Sequence, residues 1–161
     1  MDEFVVPTVG ETLAETVAAF HKMAEMQGQP VHPSLYGWVL DNGEEFTPAN
    51  LDIEMGEPKN CFENAGQIAL YSDEWDYAEG YAFSNRLLEH HIPIPIHHGW
   101  LVNADGETAD PTWPDGGHSY YGIALSTEHQ RLAVVGCGTW DVLEWVANRQ
   151  PEWFGRESIS G

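Results

Sequence analysis

The chain has 161 residues, of which 42% are hydrophobic and 12% aromatic, and its 26 acidic and 6 basic residues give a formal net charge of −20. A chain of this length can bury one hydrophobic core, and its aromatic content is too high for a disordered acidic protein, so we predict a single domain over residues 1–161. The negative charge argues against nucleic acids and anionic membrane surfaces as partners, because both would repel it.

The acidic residues are spread along the chain, which predicts a solvated acidic surface. A surface that mimics DNA or binds cations is the alternative. No apolar run approaches the roughly 18 residues that a membrane span needs, and the segment MDEFVVPTVGE carries acids where a signal peptide carries bases. We therefore expect a cytoplasmic protein in which Cys61 and Cys137 are free thiols.

The first predicted element is an amphipathic helix that ends at Gly28. Its apolar residues recur at helical spacing on one face: Leu13, Val17, Phe20 and Ala24. The next segment, LYGWVLDNGEEF, contains an Asp-Asn-Gly turn between two short apolar stretches. That pattern predicts a hairpin or a loop.

The segment CFENAGQIALY predicts a second helix, with Asn60 as its N-cap and Cys61 in its first turn. Free amides and the positive end of the helix dipole stabilise a thiolate at that position, and the same amides can donate to an oxyanion. Asn64, one turn further on, is expected on the same side, where it would orient a substrate or bind solvent. Asn60 is a further candidate for substrate binding. Cys137, in VVGCGTW, is expected to be a small buried hydrophobe.

From Tyr77 onward the pattern favours strands, in the segments YAEGYAF, IPIPIHHGWLVN, ETADPTW and SYYGIALS. A closing helix is predicted in TWDVLEWVANRQ, with Thr139 as a cap, Pro151 beyond its end, and an inward face of Val142, Leu143 and Val146. Helices followed by strands and a closing helix indicate the α+β class.

The spacing around the turn at 104–106 distinguishes the two adjacent histidines. If Ala104-Asp105-Gly106 is a three-residue hairpin loop with Gly106 left-handed, His98 and Asp110 become diagonal neighbours on one face of the hairpin. Their backbones would lie roughly 7–8 Å apart, which two side chains can bridge. His97 would point the other way, because strand side chains alternate. A two-residue loop would reverse this choice.

Four segments together resemble the transglutaminase-like proteins of the papain-like cysteine-enzyme group. They are NCFENA at 60–65, YAEGY at 77–81, HHGWLV at 97–102 and ADPTW at 109–113. The resemblance implies a papain-like α+β fold in which a helix-borne cysteine packs on an antiparallel sheet that carries the histidine and the aspartate. It also implies Cys61 as nucleophile, His98 as general base and acid, and Asp110 as the residue that orients His98. Trp100 resembles the family's tryptophan two residues after the histidine and is expected to wall the site.

These assignments predict a cysteine-dependent hydrolase or acyltransferase that acts on an amide or ester through a thioester and requires no cofactor or metal. The substrate would be a peptide, a protein or a small amide or ester. Glu79 is expected either near the cleft, where it would recognise an amine, or as an outward strand carboxylate. The pattern leaves the oligomeric state open.

Two other classes of function compete with the enzyme. One is an acidic interaction or inhibitor protein that keeps the fold with an idle site. The other is a zinc-binding protein, since the chain offers several ligand types: Cys61, His90, His91, His97, His98 and Asp110. Adjacent histidines diverge on a strand and no C-x-x-C or H-E-x-x-H unit is present, which weighs against zinc.

Overall fold

A computed structural model of the chain describes residues 12–26 and 35–149. Its helices are α1 Leu13–Met26, α2 Leu35–Asn42, α3 Cys61–Leu70, α4 Asn85–Glu89, α5 Thr127–Cys137 and α6 Leu143–Arg149. Its strands are β1 Glu44–Phe46, β2 Asp76–Ser84, β3 Ile96–Val102, β4 Thr108–Ala109 and β5 Gly117–Leu125. They form one sheet in the order β1-β5-β2-β3-β4 in which every neighbouring pair is antiparallel, so the α+β class is confirmed.

Strand alternation divides the sheet into two faces, each with its own core. The larger core packs helices against one face and includes Tyr77, Tyr81 and Leu101 of the sheet with Ala65 of α3. The smaller core lies on the other face and consists of Phe46, Ala78, Ala82, Trp100, Val102 and Tyr120. Odd-numbered buried hydrophobic residues of β2 and β3 therefore enter the larger core, and even-numbered ones enter the smaller core.

Several elements match the predictions from the sequence. The second predicted helix begins at Cys61, and β3 lies within the predicted strand segment 92–103. β2 extends one residue beyond each end of the predicted segment 77–83, and β5 begins two residues before the predicted segment 119–126. The predicted inward face of the closing helix is fully buried: Val142, Leu143 and Val146. The predicted terminal residues Gly28 and Pro151 lie outside the described residues.

Other predictions were wrong. The segment before the Asp-Asn-Gly turn forms α2 rather than a strand, and β1 pairs with the distant β5 instead of with it. The closing helix begins at Leu143, four residues after Thr139, which therefore does not cap it. Neither α4 nor α5 was predicted, and Cys137 is only partly buried at the end of α5. None of the helices within residues 12–26 and 35–149 combines the length and apolar character that crossing a membrane requires.

Two glycines pair between the central strands, Gly80 of β2 with Gly122 of β5. A Cβ atom on Gly80 would lie 2.3 Å from the Tyr121 carbonyl oxygen, and one on Gly122 would lie 2.3 Å from the Glu79 carbonyl oxygen. Neither neighbour is a flexible side chain that could move aside. The sheet can keep this spacing only with glycine at both positions.

We predict that Gly80→Ala lowers the free energy of unfolding by about 1–3 kcal/mol, because the added methyl group forces two central strands apart. Urea denaturation of the two proteins measures the difference. The matched control is Gly106→Asn, since Gly106 has φ +78°, a Cβ atom added there would meet nothing within 4 Å, and asparagine tolerates that backbone region. Equal loss in both variants would contradict the close approach.

Candidate active site

The β3–β4 hairpin sets the geometry of the candidate site. The Asn103 amide donates to the Glu107 carbonyl at 3.0 Å, Gly106 has φ +78°, and Leu101 pairs with Ala109. The three-residue loop expected from the sequence is therefore confirmed. The two-residue alternative is excluded.

This register brings His98 and Asp110 together, with His98 Nε2 2.8 Å from Asp110 Oδ2 and both side chains 1% exposed. β4 ends at Ala109, where the chain turns away from β3. The second carboxylate oxygen, Oδ1, accepts hydrogen bonds from the backbone amides of Thr112 at 3.1 Å and Trp113 at 3.0 Å. Asp110 thus orients the imidazole of His98 and also stabilises the turn formed by the residues that follow it.

Tyr120 of β5 adds a further donor that the sequence did not reveal. Its hydroxyl donates to Asp110 Oδ2 at 2.8 Å and also lies 3.0 Å from Asn50 Oδ1. Asn50 is held by the backbone of Gly117, donating to its carbonyl at 2.8 Å and accepting from its amide at 3.2 Å. The contact requires β5 to lie beside β2, a pairing between distant segments, so no local pattern signals it.

The buried pair favours its charged form. Burial alone raises the pKa of Asp110, but the His98 charge and the hydrogen bonds from His98, Trp113 and Tyr120 outweigh it, and the pKa of Asp110 is lowered. Burial alone would lower the pKa of His98, but the Asp110 charge and hydrogen bond, with a smaller contribution from Cys61, raise it from 6.5 to about 9. His98 is therefore an imidazolium at neutral pH.

Cys61 is the first residue of α3, is 9% exposed, and lies close enough to His98 to contribute to the raised pKa of its imidazole. Because Nε2 of His98 is bonded to Asp110, Nδ1 is the ring nitrogen that remains for the thiol. β4 covers only two residues of β3, so α3 can approach the uncovered edge beside His98. The three predicted catalytic residues are thus contiguous.

Two contacts hold the start of α3 against the turn after β4. The Gly56 amide donates to the Pro111 carbonyl at 2.7 Å. The Asn64 side-chain amide donates to Thr112 Oγ1 at 2.9 Å and to the Glu57 carbonyl at 2.8 Å. Asn64 was expected to orient a substrate or bind solvent, and it instead ties the helix to the segment that carries Asp110.

Asn60 also departs from expectation. It occupies the N-cap position of α3, but its side chain makes no capping hydrogen bond and it is exposed. Its carbonyl accepts from the Asn64 amide at 2.8 Å, as the position requires. No contact within the described part of the chain assigns its side chain a role in substrate binding.

Trp100 was expected to wall the site. The structure buries it completely in the smaller core, where its ring lies 5.9 Å from that of Phe46 and 6.2 Å from that of His98, nearly parallel to it. Trp100 and His98 are two residues apart on β3 and therefore share a face of the sheet. The tryptophan that covers the histidine is Trp113, stacked on the His98 ring at 3.6 Å and 11° between planes. Trp113 is half-buried and so remains accessible from outside.

Glu79 was expected near a cleft or on the outside of a strand, and both expectations were wrong. It points into the larger core, is 1% exposed, and accepts four hydrogen bonds. The donors are Tyr77 Oη at 2.6 Å, His97 Nε2 at 2.6 Å, and the backbone amides of Val142 at 2.8 Å and Leu143 at 3.1 Å. Glu79 therefore anchors the start of α6 to the sheet, and it is not accessible to a substrate.

A cleft of about 630 Å³ adjoins the Cys61–His98–Asp110 cluster, and Trp113 belongs to both. Lys59 and Ile96, two residues before Cys61 and His98 respectively, line it as well. In the described parts of the chain, His, Cys, Asp and Glu side chains form no group of three or more that could hold a metal ion. The described residues therefore offer no group of ligands that would support the zinc-binding alternative.

Comparisons with protein-family models, with curated proteins and with solved structures find no match to this chain.

We predict that His98 titrates with a pKa of about 9 in the native protein and below 6.5 in Asp110→Asn, because burial then acts without the opposing carboxylate. The measurement is an NMR pH titration of the imidazole Cε1–H signals, with exposed His118 as the internal reference. A His98 pKa near 6.5 in both proteins would refute the charged pair.

The raised pKa of His98 also makes the free energy of unfolding depend on pH. The folded-state pKa lies above the unfolded value of 6.5, so protonation of His98 stabilises the fold below pH 6.5 and this contribution is lost as the pH rises through about 9. The free energy of unfolding should fall across that range by on the order of 1–3 kcal/mol more in the native protein than in Asp110→Asn.

A further prediction concerns Glu79→Gln, which should lower the free energy of unfolding by about 3 kcal/mol. All four partners of the carboxylate are donors, so the new amide group would face a donor and leave it unsatisfied. Glu144→Gln, an exposed change in the first turn of α6, is the matched control and should cost less than about 1 kcal/mol. Similar losses in both variants would show that the buried network contributes little.

Proposed function

We propose that this protein is a cysteine-dependent hydrolase or acyltransferase acting on amides or esters, with a papain-like arrangement of Cys61, His98 and Asp110. The observation that supports the proposal is the division of the two nitrogens of His98. One binds a buried carboxylate at 2.8 Å and the other is left for a thiol at a helix start. A nucleophile, a base and a group that orients the base are the parts that thiol catalysis needs.

The raised pKa of His98, about 9, favours a resting imidazolium beside Cys61. The proton that His98 carries in this state is the one lost by the Cys61 thiol, so the nucleophilic thiolate is already formed when the substrate binds. Since Asp110 is held by four hydrogen bonds, it keeps the ring in place while His98 gains and loses protons.

In the first half of the reaction, the Cys61 thiolate attacks the substrate carbonyl carbon and forms a carbon–sulfur bond, and the carbonyl electron pair moves to the oxygen. Backbone amides in the first turn of α3 are available to donate to this oxyanion, because the first amides of a helix have no acceptor within it. As the electron pair returns, the bond to the leaving amine or alcohol breaks. His98 donates its proton to that group, and a thioester remains on Cys61.

In the second half, neutral His98 takes a proton from water or from an acceptor amine, which attacks the thioester carbonyl. Collapse of this intermediate breaks the carbon–sulfur bond and regenerates the thiolate. Water as the acceptor gives hydrolysis and an amine gives transfer.

The test uses iodoacetamide alkylation of the native protein, with both cysteines quantified by peptide mass. We expect Cys61 to react readily at pH 6–7, where an ordinary thiol with a pKa of about 8.5 is largely protonated, and partly buried Cys137 to follow ordinary behaviour. Asp110→Asn and His98→Ala should remove the advantage of Cys61 at low pH.

The same two variants and Cys61→Ser should lower hydrolysis of a p-nitrophenyl ester, with Cys61→Ser and His98→Ala losing at least about a hundredfold in kcat/KM. The proposed enzyme function would be overturned if Cys61 were no more reactive than Cys137 and if Cys61→Ser left ester hydrolysis unaffected. That result would favour an interaction protein with an inactive site.

A further inference from the structure

The cleft beside Trp113 has a charge that contrasts with the rest of the molecule. Its lining carries two cations, Lys59 and Arg86, and one acid, Asp115, whereas the whole chain has 26 acidic and 6 basic residues. Neither cation forms an ion pair with a carboxylate among the described residues. Both are exposed, so their charges face whatever enters the cleft.

The remainder of the lining is largely apolar, with Met55, Leu87, Ile96 and the ring of Trp113 among its members. A volume of about 630 Å³ lies in the range of ligand-binding clefts and is large enough for two amino-acid residues. Apolar walls with a few polar groups are typical of sites that bind a substrate side chain and fix its orientation.

The backbone at Lys59 supports a use for its side chain. Lys59 has φ +69°, in the left-handed region that favours glycine and asparagine. Any residue other than glycine carries strain here because of its Cβ atom, whatever the length of its side chain, and Lys59 lines the cleft two residues before Cys61. This strain also means that Lys59→Gly should fold at least as well as the native protein.

We propose that this cleft binds the part of the substrate on one side of the scissile bond, and that this part carries an apolar side chain together with a carboxylate, as in an acidic peptide. The inference rests on the proposed function for the position of the scissile bond at Cys61. Trp113 connects the two regions, since it stacks on His98 and lines the cleft. Lys59 and Arg86 would hold the carboxylate, and Met55, Leu87 and Ile96 would contact the apolar group.

The experiment compares two peptides that differ only in charge, acetyl-Glu-Leu-amide and acetyl-Gln-Leu-amide, by isothermal titration calorimetry on the full-length Cys61→Ser protein. The serine prevents thioester formation, so binding is measured without turnover. We expect the Glu peptide to bind about three- to tenfold more tightly at low ionic strength, with a preference that shrinks as salt is added.

Lys59→Gly and Arg86→Gln should each reduce the preference, and the double variant should abolish it. Arg131→Gln is the matched control, because Arg131 is an exposed cation on α5 outside the cleft. Thermal melting of each variant verifies that it is folded.

Equal binding of the two peptides, binding of neither, or a preference that persists in the double variant would overturn the inference. The measured binding preference does not depend on catalysis, because the Cys61→Ser protein cannot form the thioester. A charge preference that depends on Lys59 and Arg86, found in a protein whose Cys61 proves unreactive, would support the anionic ligand and reject the enzyme.

Discussion

The buried carboxylate of Asp110 is the group on which the candidate site and its surroundings depend. An isolated carboxylate in the protein interior is costly, and here the cost is offset by donors from three separate parts of the chain. His98 comes from β3, Tyr120 from β5, and the amides of Thr112 and Trp113 from the turn that follows β4. The same four hydrogen bonds join the hairpin, the central sheet and the imidazole through one carboxylate.

The adjacent histidines lie on opposite faces of β3, and each of them pairs with a carboxylate. His98 pairs with Asp110 in the smaller core, and His97 pairs with Glu79 at 2.6 Å on the helical face. Each carboxylate also receives backbone amides, from the turn after β4 in one case and from the start of α6 in the other. The difference lies in exposure, because the side chain of His97 is 33% exposed and that of His98 is 1% exposed. Cys61 contributes to the raised pKa of the buried histidine, His98.

Local chemistry in the sequence was sufficient for the parts of the site that depend on one hairpin. A Gly106 turn and strand alternation predicted which histidine meets Asp110, and the apolar stripe after Cys61 predicted where α3 begins. The wrong expectations for Glu79 and for β1 come from contacts between distant segments, whereas the missing cap at Thr139 and the unpredicted α4 and α5 are local errors. The close stacking of Trp113 on His98 could not be predicted because Trp113 lies beyond the paired part of the hairpin, where strand register no longer sets its position. Glu79 could not be assigned because its partners in α6 are more than 60 residues away.

The net charge of the whole protein and the cations beside the cleft have opposite effects on an anionic substrate: the first repels it at long range and the second attract it at short range. The net charge of −20 repels anions at a distance, but at physiological ionic strength the field of exposed charges is largely screened beyond about 8 Å. Within that distance the nearest side chains dominate, and around the cleft these include Lys59 and Arg86. Binding of a carboxylate there is therefore compatible with an acidic protein, and its association rate would rise as salt screens the long-range repulsion. Affinity depends on the local cations and should fall over the same salt range, which separates the two effects.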